Sequence, residues 1–222
     1  MIQPVQNRTS SSHPTMDDPV PGTEARRELV IARLRSARVI PVLRSASAAA
    51  SIEAANRCLH AGVTAVELTT TTPDWSSALA VVRAEHSDQL VGVGTVLTAD
   101  DARLALDGGA DFLVSPCPAP AVREACGSGE LLIEGGLTVG EVLGAARHGL
   151  AKLFPAHVGG VQYLRSILAV APSAKIIPTG GIRLSCAGEW LAAGAWAVGV
   201  GNDLLGREDV AAAIAAALDT QE

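Results

Sequence analysis

The sequence is short of aromatics, at 3% Phe, Trp and Tyr, and shorter still of lysine: two of its seventeen basic residues are Lys, at 152 and 175. A core with so few rings has to be built from Ala, Val, Leu and Ile, and hydrophobic residues make up 48% of the chain. Long apolar runs are missing too, because Arg, Asp, Glu or Gly interrupts each one well short of the roughly 20 residues a membrane span needs. Excess positive charge is absent: the formal net charge is −6. That balance argues against a nucleic-acid footprint, although it leaves room for a local anion site. The four cysteines (Cys58, Cys117, Cys126, Cys186) form no CxxC pair and no His/Cys metal spacing. They read as reduced, mostly buried thiols of a cytoplasmic protein, with no metal and no cofactor.

Residues 1–22 are rich in Ser, Thr, Pro and Asp and lack the apolar stretch of a signal peptide, so they read as a disordered leader. The rest, residues 23–222, reads as one domain. Glu24–Ala37 carries Ala25, Leu29 and Ala32 at helical spacing, with Val30 and Leu34 beside them and arginines on other faces, which predicts an amphipathic N-terminal helix. From there one plan repeats: a β-branched run, a turn, an Ala-rich helix, then a Gly. The predicted strands are Arg38–Leu43, Ala65–Thr69, Leu90–Thr95, Phe112–Ser115, Leu131–Gly135, Ala151–Phe154, Lys175–Thr179 and Ala195–Val200. Eight such units point to an α/β fold, a (β/α)8 TIM barrel, with an open doubly wound sheet as the alternative.

In such a barrel the chemistry belongs at the C-terminal ends of the strands, and the polar residues are placed accordingly. Lys152 lies within Gly149-Leu150-Ala151-Lys152-Leu153-Phe154-Pro155. Surrounded by apolar side chains, a lysine either snorkels its ammonium to water or becomes a neutral nucleophile able to form a Schiff base. Glu67 stands early in Glu67-Leu68-Thr69-Thr70-Thr71-Thr72-Pro73, sharing a strand face with Thr69. Glu67 and Lys152 are therefore either a structural buried ion pair or an acid/base beside a reactive amine. Lys175 starts its strand and reads as a solvated residue at the opposite end. Two glycine stretches, Thr179-Gly180-Gly181 and Gly199-Val200-Gly201-Asn202, follow the seventh and eighth strands, where many barrels bind phosphate through backbone N–H groups. Neither matches a dinucleotide fingerprint.

Pro41-Val42-Leu43-Arg44, Glu67-Leu68-Thr69 with Thr72-Pro73, Gly92-Val93-Gly94-Thr95, Ser115-Pro116, Lys152-Leu153-Phe154-Pro155 and Pro178-Thr179-Gly180-Gly181 occur in one order and spacing. Together they resemble the 2-keto-3-deoxy-6-phosphogluconate (KDPG) and 4-hydroxy-2-oxoglutarate aldolase family. The resemblance implies a class I aldolase: Lys152 forming the imine, Glu67 moving protons through a water, and Phe154 packing beside the imine. It also implies substrate contacts from Arg44, Thr69, Thr95 and Thr179, and a phosphate cradle of Gly180, Gly181, Gly201 and Asn202. The products would be pyruvate and glyceraldehyde 3-phosphate, or pyruvate and glyoxylate from 4-hydroxy-2-oxoglutarate. Family members are commonly homotrimers, and the implied partner is a phosphorylated 2-keto acid rather than nucleic acid or membrane.

Three departures stand out. Thr71 occupies a position where some members hold the substrate carboxylate with arginine; others use the arginine ending the first strand, here Arg44, and the chain resembles that subgroup, an ordinary barrel-rim arginine being the alternative. Glu134 stands where proline is usual, either near the pocket or pointing outward. His157 replaces a common glutamate and is assigned no role. Thr179 leans toward the gluconate-derived substrate over the galactonate-derived one. The competing readings are a barrel sugar-phosphate epimerase using Glu67 and Lys152 without an imine, and a non-catalytic phosphosugar-binding protein.

Overall fold

The computed structural model describes residues 23–205 and 207–219. Helix α1 (Thr23–Ala37) leads into β1 (Val39–Leu43), α2 (Ala48–His60), β2 (Ala65–Thr69), α3 (Trp75–Glu85), β3 (Leu90–Gly94), α4 (Ala99–Asp107) and β4 (Phe112–Val114). The alternation continues through α5 (Pro120–Cys126), β5 (Leu132–Gly136), α6 (Val139–Ala146), β6 (Leu150–Leu153), α7 (Gly160–Val170), β7 (Lys175–Pro178), α8 (Ala187–Ala192), β8 (Val198–Val200) and α9 (Val210–Asp219). The helix starts are built locally. Ser47 accepts from the Ala50 N–H, Thr98 from that of Asp101, and Thr138 forms a reciprocal capping box with Glu141. Each such cap satisfies otherwise orphaned donors and stabilises its helix by about 1 kcal/mol.

The eight strands run parallel in the order β7-β6-β5-β4-β3-β2-β1-β8. The two ends meet through a parallel bridge between Thr179 and Gly199 and a 2.8 Å hydrogen bond from the Trp196 N–H to the Ile176 carbonyl. The ring is therefore a barrel, and the open-sheet alternative is set aside. Strand β8 is shorter than expected from the sequence. The Ala195 N–H bonds back to the Trp190 carbonyl to finish α8, so that residue does not continue the strand, while the Trp196 indole donates to the Ile31 carbonyl.

Side chains alternate across each strand and make two cores. Val66, Leu68, Val91, Val93, Leu132 and Ile176 face outward onto the helices. Ile40, Ala65, Leu90, Phe112, Ile133 and Leu150 fill the lower barrel, where Val30, Ile31 and Leu34 of α1 close the bottom like a plug. The helix is present as expected, and Val30 and Leu34 of its expected apolar residues are buried together with Ile31, whereas Ala25, Leu29 and Ala32 are exposed. A plug reaches a round opening with its last turns, so the larger Val30, Ile31 and Leu34 go in. Lys175 is at the bottom, as expected, yet it is not simply solvated. It lies 3.8 Å from Glu28 and packs over the Trp196 ring, which Arg35 also covers. Cys58 and Cys126 are buried, whereas Cys117 is exposed and Cys186 intermediate, so burial of the thiols is only half of what the sequence suggested. The expected leader, residues 1–22, lies outside the described residues.

Candidate active site

Strands β2 and β6 stand four places apart in the ring, on opposite walls, and each sends one ionisable side chain inward. Lys152 Nζ and Glu67 Oε1 meet at the barrel's centre, 3.6 Å apart, with each side chain only 6% exposed. At that distance they attract as a pair without sharing a direct hydrogen bond. Glu67 Oε1 has no hydrogen-bond partner among the described residues, so a buried acceptor is left directed at the space above. A polar atom this deep ordinarily finds a partner, so the oxygen is open to a ligand or water in the cavity. The Phe154 ring lies beside the amine, its centroid 5.3 Å from Nζ, and shields it from solvent.

The motif glycines are explained by what surrounds them. A Cβ on Gly94 would stand 1.8 Å from Glu67 Oε1, so only glycine leaves the carboxylate its place. Gly92 makes room for the Phe112 ring and Gly199 for Thr179 in the same way. Gly181 has φ of +69° and carries the sharp turn after β7, with His157 against its open side.

Above the pair, the C-terminal strand ends enclose a cavity of about 600 Å³, within the usual range for a small-molecule site. Arg44 enters from β1. Its guanidinium donates to the Thr71 hydroxyl and, at 3.3 Å, to that of Thr95. Thr71 in turn donates to Thr69 at 3.2 Å, and Thr69 to the Leu43 carbonyl at 3.3 Å. This chain of donors holds Arg44 over the cavity in one orientation. Thr95 sits in the left-handed region at φ 60°, and the Thr70 hydroxyl bonds its carbonyl at 2.6 Å. A non-glycine residue held there stores strain of a kind that clusters at functional sites. On the opposite side, Thr179, Gly180, Gly181, Gly201 and Asn202 line the cavity together.

The structure thus gathers Lys152, Glu67, Arg44, Thr95, Phe154, Thr179, Gly180, Gly181, Gly201 and Asn202 around one hollow. Thr69 lies beneath it, fully buried, and touches the site through Thr71. Glu134 points outward: it accepts from the Ala119 N–H at 2.8 Å and from Arg123 Nε at 2.9 Å, joining β5 to the start of α5. Three polar lining residues escaped the sequence reading. His157, given no role, borders the cavity with Nδ1 3.3 Å from the Gly180 carbonyl. Arg183 and Asp203 follow the two glycine stretches closely, and that adjacency was the available signal.

Comparison with known proteins bears on what this arrangement is. A family model described as KDPG and KHG aldolase matches residues 30–217. A 2-dehydro-3-deoxy-phosphogluconate aldolase of Treponema pallidum is 34% identical over 72% of this chain and 78% of its own. A 2-dehydro-3-deoxy-6-phosphogalactonate aldolase of Escherichia coli is 29% identical over 75% and 83%. The crystal structure of a KDPG aldolase from Legionella pneumophila, holding pyruvate as a covalent carbinolamine, superposes with a TM-score of 0.73. It is 27% identical and covers 86% of this chain and 98% of its own. With the barrel, the inward amine and carboxylate and these likenesses in agreement, this chain is a lyase of the aldolase type and belongs to the KDPG and KHG aldolase family.

Proposed function

We propose that the protein is a class I aldolase that cleaves KDPG into pyruvate and glyceraldehyde 3-phosphate, with Lys152 as the imine-forming residue. The observation that carries this reading is the Lys152–Glu67 pair, 3.6 Å apart at the floor of a cavity whose rims hold an arginine and a glycine cradle. Pyruvate held as a carbinolamine in the Legionella relative supports it.

The steps balance without an external oxidant or reductant. The Nζ lone pair adds to the C2 carbonyl, and loss of water from the carbinolamine gives a protonated imine. Glu67, acting through a water, takes the proton from the C4 hydroxyl. The C3–C4 bonding pair then flows toward the imine nitrogen, an aldehyde departs, and an enamine remains. Protonation at C3 and hydrolysis release pyruvate and restore the amine. Phe154 keeps the imine dry, Arg44 receives the substrate carboxylate as a planar two-pronged donor, and Thr95 and Thr179 contact the chain between. Gly180, Gly181, Gly201 and Asn202 offer backbone and amide N–H groups to the phosphate.

The reading places the enzyme in the Entner–Doudoroff breakdown of sugar acids, in a reducing, cytoplasmic setting that suits its free cysteines. It extends to cleavage of 4-hydroxy-2-oxoglutarate and to a homotrimer. Leu97, Val139 and Val158, exposed on loops and helix starts at the cavity end, are available to an interface. The 6-phosphogalactonate compound is the second substrate reading, favoured by the Escherichia coli relative. Pyruvate release measured with both sugar acids decides between them. KDPG is expected to give the higher kcat/KM, and Lys152→Met to abolish turnover of either. Epimerised substrate without pyruvate would overturn the aldolase reading.

A further inference from the structure

We propose that Arg183 is a specificity-determining residue that supplies the positive charge for the substrate's phosphate, selecting phosphorylated over unphosphorylated keto acids. This rests on the aldolase reading above. Arg183 follows Gly181 by two residues and lines the same cavity as Gly180, Gly181, Gly201 and Asn202. The loops after β7 and β8 that carry these residues are held side by side by the Thr179–Gly199 bridge.

The guanidinium is also uncommitted. Among the described residues the Arg183 side chain makes no hydrogen bond and no ion pair, while Arg44 is tied to Thr71 and Thr95, Arg123 to Glu134 and Arg207 to Asp209. An exposed arginine with no partner, at the lip of a cavity, is free to turn onto an anion.

The charges at this rim favour such a cation. Asp203 lines the same end of the cavity, and its Oδ2 accepts from the Leu184 N–H at 2.9 Å. A phosphate dianion brought against the glycine turns meets that carboxylate's repulsion, and a guanidinium at the same rim offsets it beside the backbone N–H dipoles. The Asp203 bond to Leu184 also fixes the turn that begins immediately after Arg183, so one contact sets both the opposing charge and the position of its counter-charge. A guanidinium matches phosphate with two parallel donors where a lysine gives one point charge.

Two arms test this. In the first, pyruvate release is measured from KDPG and from its unphosphorylated analogue, using wild type, Arg183→Ala and Arg183→Lys. KM for KDPG should rise about tenfold in Arg183→Ala with kcat nearly unchanged, and Arg183→Lys should recover part of the loss. The unphosphorylated compound should respond by no more than about twofold. Equal losses on both compounds, or none on KDPG, would overturn the proposal. In the second, calorimetry measures inorganic phosphate binding by the same proteins without turnover. Wild type should bind about tenfold more tightly than Arg183→Ala; equal binding, or none by wild type, would overturn the assignment. Wild type that binds phosphate through Arg183 yet releases no pyruvate from either compound would sink the aldolase reading alone.

Discussion

Gly94→Ala puts the geometry of the catalytic floor to a quantitative test. The added methyl would lie 1.8 Å from Glu67 Oε1, where ordinary contact starts at 3.4 Å, so the carboxylate must retreat by about 1.6 Å. It cannot retreat downward. The void among Ile40, Phe112, Ile133 and Ile177 below the pair is about 10 Å³, too small for a carboxylate. Glu67 must therefore swing upward or sideways, out of its 3.6 Å approach to Lys152. Misplacing a proton-transfer group by more than an ångström costs about 100-fold in rate, equivalent to about 2.7 kcal/mol on the barrier. Crowding a packed interior costs a further 1–3 kcal/mol, roughly, in stability. The assay is pyruvate release for kcat, with thermal unfolding alongside. In a Glu67→Ala background the clash is gone, so Gly94→Ala should then destabilise little. A folded Gly94→Ala enzyme with kcat within about threefold of wild type would refute the reasoning.

Arg44→Ala should raise KM for the keto acid by about tenfold or more, since a charge-assisted carboxylate contact is lost. Thr71→Val, which cuts the donor chain at its second link, should do the same to a smaller degree, and an unchanged KM in both variants would remove Arg44 from the site. Thiol reagents at neutral pH should modify exposed Cys117 quickly and leave Cys58 and Cys126 intact in the folded protein. Burial pushes both thiols up to about 11, with Arg57 and Arg123 respectively opposing, and rapid labelling of either would contradict the packing. Acid should weaken the fold through His86. Its burial holds it below the ordinary 6.5, helped by the charge of His60. The unfolded chain then binds protons more readily, so this stability is present above the ordinary value and is lost as pH falls through the lowered one. Unfolding midpoints measured between about pH 8 and pH 5.5 should fall with pH, less steeply in His86→Gln; a rise on acidification would refute the assignment.

The barrel was legible because its strands are short β-branched runs set between Ala-rich helices, and alternation along each run put Glu67, Thr69 and Lys152 on the inner face. The face of α1 was misjudged in part, for a physical reason: Val30 and Leu34 are buried as expected, but the plugging geometry adds Ile31 and leaves the helically spaced Ala25, Leu29 and Ala32 outside. Thr69 obeys alternation and still misses the cavity, because its hydroxyl is drawn to the Leu43 carbonyl and to Thr71. Glu134 is settled only by register. Its partners, Arg123 and the Ala119 N–H, come from the α5 side, which no local pattern announces. Arg183 and Asp203 became visible once two loops far apart in sequence were brought to one rim.

Borohydride reduction in the presence of pyruvate, followed by peptide mass mapping, goes straight to the chemistry assigned to the buried amine. One reduced pyruvyl group on the peptide containing Lys152, and none in Lys152→Met, is the predicted result. Unmodified Lys152, or label carried by Lys175 instead, would contradict it.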